Sequence, residues 1–532
     1  MVAFAWQRSI ATIGDDSVSY LLLAQHIAPD TPPMVERWVG LRAHFAPLFP
    51  LALALTGGAH DLLVAHWVVA ACGILALVAV YAFALLRLGS RLGAFAVAAI
   101  FLATPNAWVS LKGILSEPMF LMVSLAALAW YSRRLEARAG STGDWLAFGV
   151  LLAAAYLTRA AGVSLLIAYA VHAGLRAARE RGHGAAWRLV LPALPLAALV
   201  GFWLAWRPET GVDLYGFMTR QLLAGWIGHP AAAAQLAVER FVGGWIASFL
   251  AQSSVGIASR VAFALLGILA VAGSVRAAWR NRLDGWYVLV SLGITFGWVF
   301  TEDNTRRLFY PLLPLLMIHA AELVRAMAAR LSRPRLRAWS IAGVALLPLL
   351  LCLPADIVLV EKRLDDAPYA PGANLAYADC VDFYTTIGIE PARAYAADVL
   401  GMLEGFEAIA RATPPNARIM WVRPEYVALL GHRESVPYFF AWDERRLARE
   451  LLRQRVDYLV VGALYKSDYE NRVGDPYRLH PRVTQYTTPV VRIRNAVTGR
   501  PAFVLARVDP AGVERFLASA ATEDLTAAAP RK

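Results

Sequence analysis

The sequence predicts an α-helical polytopic membrane protein of about 10–11 transmembrane helices, carrying a small C-terminal α/β domain outside the membrane. Three observations predict it. Of 532 residues, 58% are hydrophobic and only 17% charged, where soluble chains carry about a quarter charged residues, and the mean hydropathy is +0.49. Apolar runs long enough to cross a bilayer recur between residues 61 and 360. Beyond residue 361 the runs shorten and charge rises. The domain limits that follow are 1–360 for the membrane part and 361–532 for the extracytoplasmic part.

Runs of about 17–25 apolar residues mark helical spans. They lie near 61–86, 92–109, 116–132, 145–158, 161–175, 188–206, 258–278, 285–301, 308–328 and 338–360. The pieces 145–158 and 161–175 flank Arg159 and read as two spans joined by a tight turn, because an arginine at mid-helix is costly in lipid. Charge agrees with that choice. Alternate connections carry Arg87 and Arg91, then Arg133, Arg134 and Arg138, then Arg176 to Arg188, then Arg276 to Arg282, then Arg325 to Arg337. Basic connections face the cytoplasm. The first loop 14–59, the 110–116 turn, the Arg159 turn, the loop 207–257, the 302–307 turn and the tail then share the outer side of the membrane.

Residues 1–13 ahead of the first outer loop are too short for a crossing and are interrupted by Gln7 and Arg8. They lack the charged start and apolar core of a signal peptide, so the expectation is a first helix only partly encoded here. In the tail, ARIMWV, SVPYFF, VDYLVVGAL, PVVRIRN and AFVLARV read as strands, and PEYVALLGH and DERRLARELLRQR as helices. Residues 519–532 read as a frayed end.

The net charge of +12 comes mostly from arginines at span ends, and no basic run interleaved with aromatics appears, which excludes a nucleic-acid surface. The three cysteines form neither a disulfide framework nor a zinc spacing. No metal ligand set is visible and no cofactor is required, although a divalent metal is compatible with the chemistry below.

Candidate chemistry gathers on the outer side. Asp15 and Asp16 open an amphipathic segment; either fits a general base with an orienting neighbour, or an N-cap for the helix that follows. His44, in RAHFAPLFPLALAL, fits a phosphate ligand or a surface histidine. Lys112 and Glu117 stand at the mouth of a span. Glu117 fits a hydrogen bond to a sugar hydroxyl, or a helix-dipole charge with Ser116 as cap. Arg306 and Arg307 fit bidentate phosphate binding or interfacial anchoring. With Arg159 they put a carboxylate base and several cations beside spans able to hold a lipid tail.

The ordered series resembles the GT-C class of membrane glycosyltransferases, which includes dolichyl-phosphate-mannose protein mannosyltransferases and bacterial aminoarabinose transferases. The residues that carry the resemblance are Asp16, Tyr20 and Ala24 in the first loop, then HFAPLFPLALAL, SEPMFL, the LTRAAGVSLL turn, and Arg307 followed by Pro311 and Pro314. The resemblance implies inverting transfer of a sugar from a polyprenyl-phosphate carrier to a lipid, glycan or protein acceptor, with Asp16 as base and Asp15 beside it. Relatives of this class often have Asp-Glu where this chain has Asp16-Ser17. Two other readings stay open: a polymerase or ligase of lipid-linked glycans using the 207–257 loop, and a transporter or flippase of lipid-linked sugar, which buried mid-span charges would favour.

Overall fold

The computed structural model describes residues 15–28, 45–136, 140–179, 186–206, 214–249, 257–298, 302–330, 348, 350–352, 389–439, 442–464 and 474–527. The expectations for residues 1–13 and His44, and most of the span expected at 338–360, lie outside them. In chain order the helices are α1 (Asp15–Ile27), α2 (Leu48–Thr56), α3 (Leu62–Leu88), α4 (Arg91–Leu102), α5 (Pro105–Lys112), α6 (Glu117–Trp130), α7 (Thr142–Thr158), α8 (Val163–Arg179), α9 (Ala193–Trp206), α10 (Leu214–Gly228), α11 (Pro230–Ala247), α12 (Ile257–Trp279), α13 (Leu283–Trp298), α14 (Glu302–Phe309) and α15 (Leu313–Ala328). Two compact units emerge, one holding α2–α15 and the other holding α1 with the C-terminal part.

The first unit is a helical bundle. Among the described residues, four of its segments are long and apolar enough to cross a membrane: Leu62–Leu88, Ala160–Arg179, Arg188–Trp206 and Ser259–Trp279. Outward-facing side chains on these helices are apolar as well, among them Val78, Phe202, Leu265 and Ile268. Helices apolar all round suit lipid and not water. Where the expected span 92–109 is one helix, the structure breaks it at Ala103–Thr104, because Pro105 starts α5. The span expected at 308–328 is likewise divided between α14 and α15 around Pro311, with Pro314 in the first turn of α15. Proline lacks the amide that would continue either helix and is tolerated in a first turn. The expected hairpin at 145–175 is present. Arg159 sits extended between α7 and α8, and a Cβ at Gly162 would come 2.7 Å from the Ala155 carbonyl oxygen, so the turn closes only over glycine. The expected loop 207–257 contains α10 and α11.

The second unit centres on a five-stranded sheet: β1 (Arg418–Trp421), β2 (Glu434–Pro437), β3 (Tyr458–Val461), β4 (Thr487–Arg494) and β5 (Pro501–Val508), in the order β2-β1-β3-β5-β4. β1 is parallel to β2 and β3, while β5 is antiparallel to β3 and β4. Central β3 is buried at all four positions and β4 alternates, as two-sided and one-sided cover require. The helices are α16 (Ile389–Ala412), α17 (Pro424–Gly431), α18 (Glu444–Arg453) and α19 (Pro510–Ala527). The five strands and two of the helices are where the sequence predicts them. α16 is not foreseen, and α19 runs helical to Ala527 where a frayed end from 519 is expected. Trp421 and Tyr426 are core, 0% and 1% exposed. Asn495 fastens the β4–β5 turn to α16: its side chain donates to the Ala394 carbonyl and to Asp398, and accepts from the Val497 and Thr498 amides.

Candidate functional site

Glu117 is the first residue of α6, where the helix dipole favours an anion. It is fully buried, so its charge needs partners. Arg307, near the end of α14, gives two: Nε donates to Oε1 at 2.8 Å and Nη2 lies 2.6 Å from the same oxygen. Arg159, in the α7–α8 turn, places Nη1 3.0 Å from Oε2. The same Nη1 donates to Ser116 Oγ at 3.1 Å. Ser116 therefore serves the arginine, and its side chain makes no capping bond. Two guanidiniums against one carboxylate leave a surplus of one positive charge in the triad. The arginine side chains keep 17% and 23% of their surface exposed while that of the glutamate keeps 1%. The carboxylate is taken up by arginines instead of standing free for a sugar hydroxyl.

Three breaks in the helices build this site. The Arg159 turn, the proline interruption after α14 and the Ser116-Glu117-Pro118 start of α6 each bring one member. The α4–α5 break adds a brace: Asn106, buried, donates through Nδ2 to the Arg306 carbonyl at 2.7 Å. Arg306 thereby enters through its backbone. Asn106 was not singled out from the sequence, and its position after Pro105 at a helix start is the signal that marks it. Lys112 ends α5, and only its backbone lies within the described residues.

Asp15 and Asp16 form the first turn of α1 in the second unit. Asp16 is half-buried; for Asp15 the backbone alone is described. Tyr20 is 3% exposed, in a helix where every residue from Ser17 to Ala24 is buried, and α1 packs on α17.

A second polar cluster lies at the other end of α6. From Glu117 to Trp130 is 13 residues, roughly 20 Å of helix at 1.5 Å per residue, and the π-helical turn Tyr131–Glu136 continues it. There Arg87 bonds Glu136, Ser132 and the buried Asp284. Arg282 also pairs with Asp284 and, at 2.7 Å, with Glu322. Arg176 donates to the Leu135 carbonyl and Arg325 to that of Leu88. The arginine-rich connections thus gather at one end and the Glu117 triad stands at the opposite one. Among the described residues no group of three His, Cys, Asp or Glu side chains is arranged to hold a metal ion.

No protein-family model matches the sequence, and no curated protein does. Among solved structures the chain is similar to ArnT of Cupriavidus metallidurans bound to undecaprenyl phosphate, at 14% identity, covering 95% of this chain and 96% of that one, with a TM-score of 0.49. It is similar to the same enzyme in the apo state at 15% identity, 96% of each chain and TM-score 0.49. It is similar to the oligosaccharyltransferase AglB of Archaeoglobus fulgidus in complex with an inhibitory peptide and a dolichol-phosphate, at 14% identity, 91% of this chain, 70% of that one and TM-score 0.45.

Proposed function

We propose that this chain is an inverting glycosyltransferase of the GT-C class, moving a sugar from a polyprenyl-phosphate carrier to a lipid, glycan or protein acceptor at the outer face of the plasma membrane. The observation that carries the reading is the Glu117–Arg159–Arg307 triad. Its two arginines are pinned by a buried carboxylate and retain exposed edges. Prepositioned cations of this kind stabilise charge as it develops on a departing phosphate. Arginine is the suited residue because its planar fork matches phosphate oxygens.

The acceptor hydroxyl oxygen attacks the anomeric carbon from the face opposite the phosphate. The resemblance carried by the first loop assigns its proton to the Asp16 carboxylate. The bond from the anomeric carbon to the phosphate oxygen breaks, and the carrier leaves as a phosphate whose new charge Arg159 and Arg307 offset. Lys112, His44, Arg306 and Tyr20 are assigned to the substrate and its phosphate, with Asp15 beside the base.

Loss of a positioned base costs on the order of a hundredfold to ten-thousandfold in rate. Asp16→Asn in native membranes is expected to reduce transfer by that factor while the protein inserts normally. Full activity with both Asp15 and Asp16 changed to Asn would remove this mechanism.

A further inference from the structure

The arginine-rich end of the bundle contains a cavity of ≈ 260 Å³ that the transfer reaction does not use. It lies between α12 and α15, walled by Arg276, Arg280, Arg282, Arg325, His319 and Glu322. Two of the arginines are already engaged, Arg282 by Asp284 and Glu322 and Arg325 by the Leu88 carbonyl. The side chains of Arg276 and Arg280 make no hydrogen bond or ion pair among the described residues. The four guanidiniums outnumber the acids that face them, so the cavity keeps a positive surplus.

The floor is rigid. His319 is fully buried, with Nδ1 2.9 Å from Ser274 Oγ and Nε2 3.2 Å from Asp284 Oδ2. α15 approaches α12 so closely that a Cβ on Gly273 would sit 2.3 Å from the His319 carbonyl oxygen. Close approach through glycine is how helices pack in lipid.

Beside the cavity, α12 presents an exposed apolar stripe. On α12, Val261, Leu265, Ile268, Val271 and Val275 are all exposed, 3 or 4 residues apart, and the stripe ends in Trp279, 81% exposed. An exposed tryptophan at the end of an apolar stripe marks the level of the lipid headgroups. Arg276 and Arg280 follow Val275 and Trp279 by one residue each, so they stand about 100° round the helix from the stripe.

We infer that this cavity binds the phosphate of an anionic membrane phospholipid, with an acyl chain lying along the α12 stripe. The volume is roughly nine times the share of one water molecule in the liquid, enough for a phosphodiester and its waters. Basic pockets between transmembrane helices are suited to acidic headgroups. Because the site lies beyond the far end of α6 from Glu117, it acts as an anchor for the bundle and not as a second donor site.

The test uses the full-length protein in detergent, with bound lipid counted by native mass spectrometry. Phosphatidylglycerol and phosphatidylcholine are the lipid probes, and inorganic phosphate is the soluble one. The wild type is expected to retain phosphatidylglycerol over phosphatidylcholine. The double variant Arg276→Gln, Arg280→Gln is expected to bind it about thirtyfold more weakly, since each arginine near a lipid surface contributes about fivefold. The pair Arg276→Lys, Arg280→Lys should restore part of that loss. Melting temperature in phosphatidylcholine alone should be the same for all three proteins. Equal phosphatidylglycerol retention by the wild type and the Gln variant would overturn the site. Inorganic phosphate bound with the same dependence on the two arginines would overturn the lipid as its occupant.

Discussion

Glu117 shows how burial decides what a residue can do. From sequence it fits a sugar contact or a dipole charge equally well. Burial adds the missing constraint, since a fully buried carboxylate needs charged partners. Arg159 and Arg307 supply them from 42 and 190 positions away, separations no local pattern reveals. Glu117→Ala leaves two arginines without their anion, a loss on the order of 3–5 kcal/mol for a broken buried pair. The melting temperature of the purified protein is expected to fall accordingly. Glu117→Gln keeps the shape but releases the guanidiniums, so the KM for the lipid donor should rise more than kcat falls. An unchanged KM would reduce Glu117 to a purely structural brace.

Among the elements, the strands are the most legible in the sequence, because short β-branched runs between turn residues have few other uses. The helix breaks are partly legible. Pro105 and Pro311 are plain in the sequence, yet hydropathy alone reads each region as one continuous span. α16 escaped the sequence reading although Val399, Met402, Phe406 and Ile409 recur at helical spacing and are all buried; its register is set by tertiary packing on the sheet. That packing is tight at Gly405, where a Cβ would come 2.2 Å from the Phe503 ring. Gly405→Ala is expected to destabilise the C-terminal domain by about 1–3 kcal/mol, as overpacking does. Limited proteolysis of the full chain would register it as faster cleavage within residues 389–527.

The same domain carries a pH dependence. Burial pushes the His480 imidazole below its ordinary value, against the smaller upward pull of Glu444 and Asp443. Its Nε2 lies 3.1 Å from the Tyr438 hydroxyl, whose own pKa burial raises. With the folded pKa below the unfolded one, the unfolded chain binds the proton more readily. Stability contributed by neutral His480 is therefore complete above about pH 6.5 and declines as pH falls from there to the folded pKa. The domain's melting temperature should drop over that window, and His480→Gln should flatten the drop. A steeper drop in the variant would contradict the assignment.

Across the whole molecule, the membrane bundle was legible from composition, and the two polar ends from the phase of the arginines. The structure gives each end its own character: an open, positively charged triad at one, and a dense arginine–carboxylate network at the other. The residue pairings themselves were not legible, because they join helices whose neighbours only packing selects. The central claim is that the triad receives a polyprenyl phosphate, and the most direct measurement is binding of that carrier to the reconstituted protein. Undecaprenyl phosphate should bind the wild type saturably. Arg307→Ala and Arg159→Ala should each weaken it by on the order of tenfold or more, since a charge-assisted hydrogen bond is worth about 1.5–3 kcal/mol. Carrier binding that is unaffected by either substitution would contradict the account.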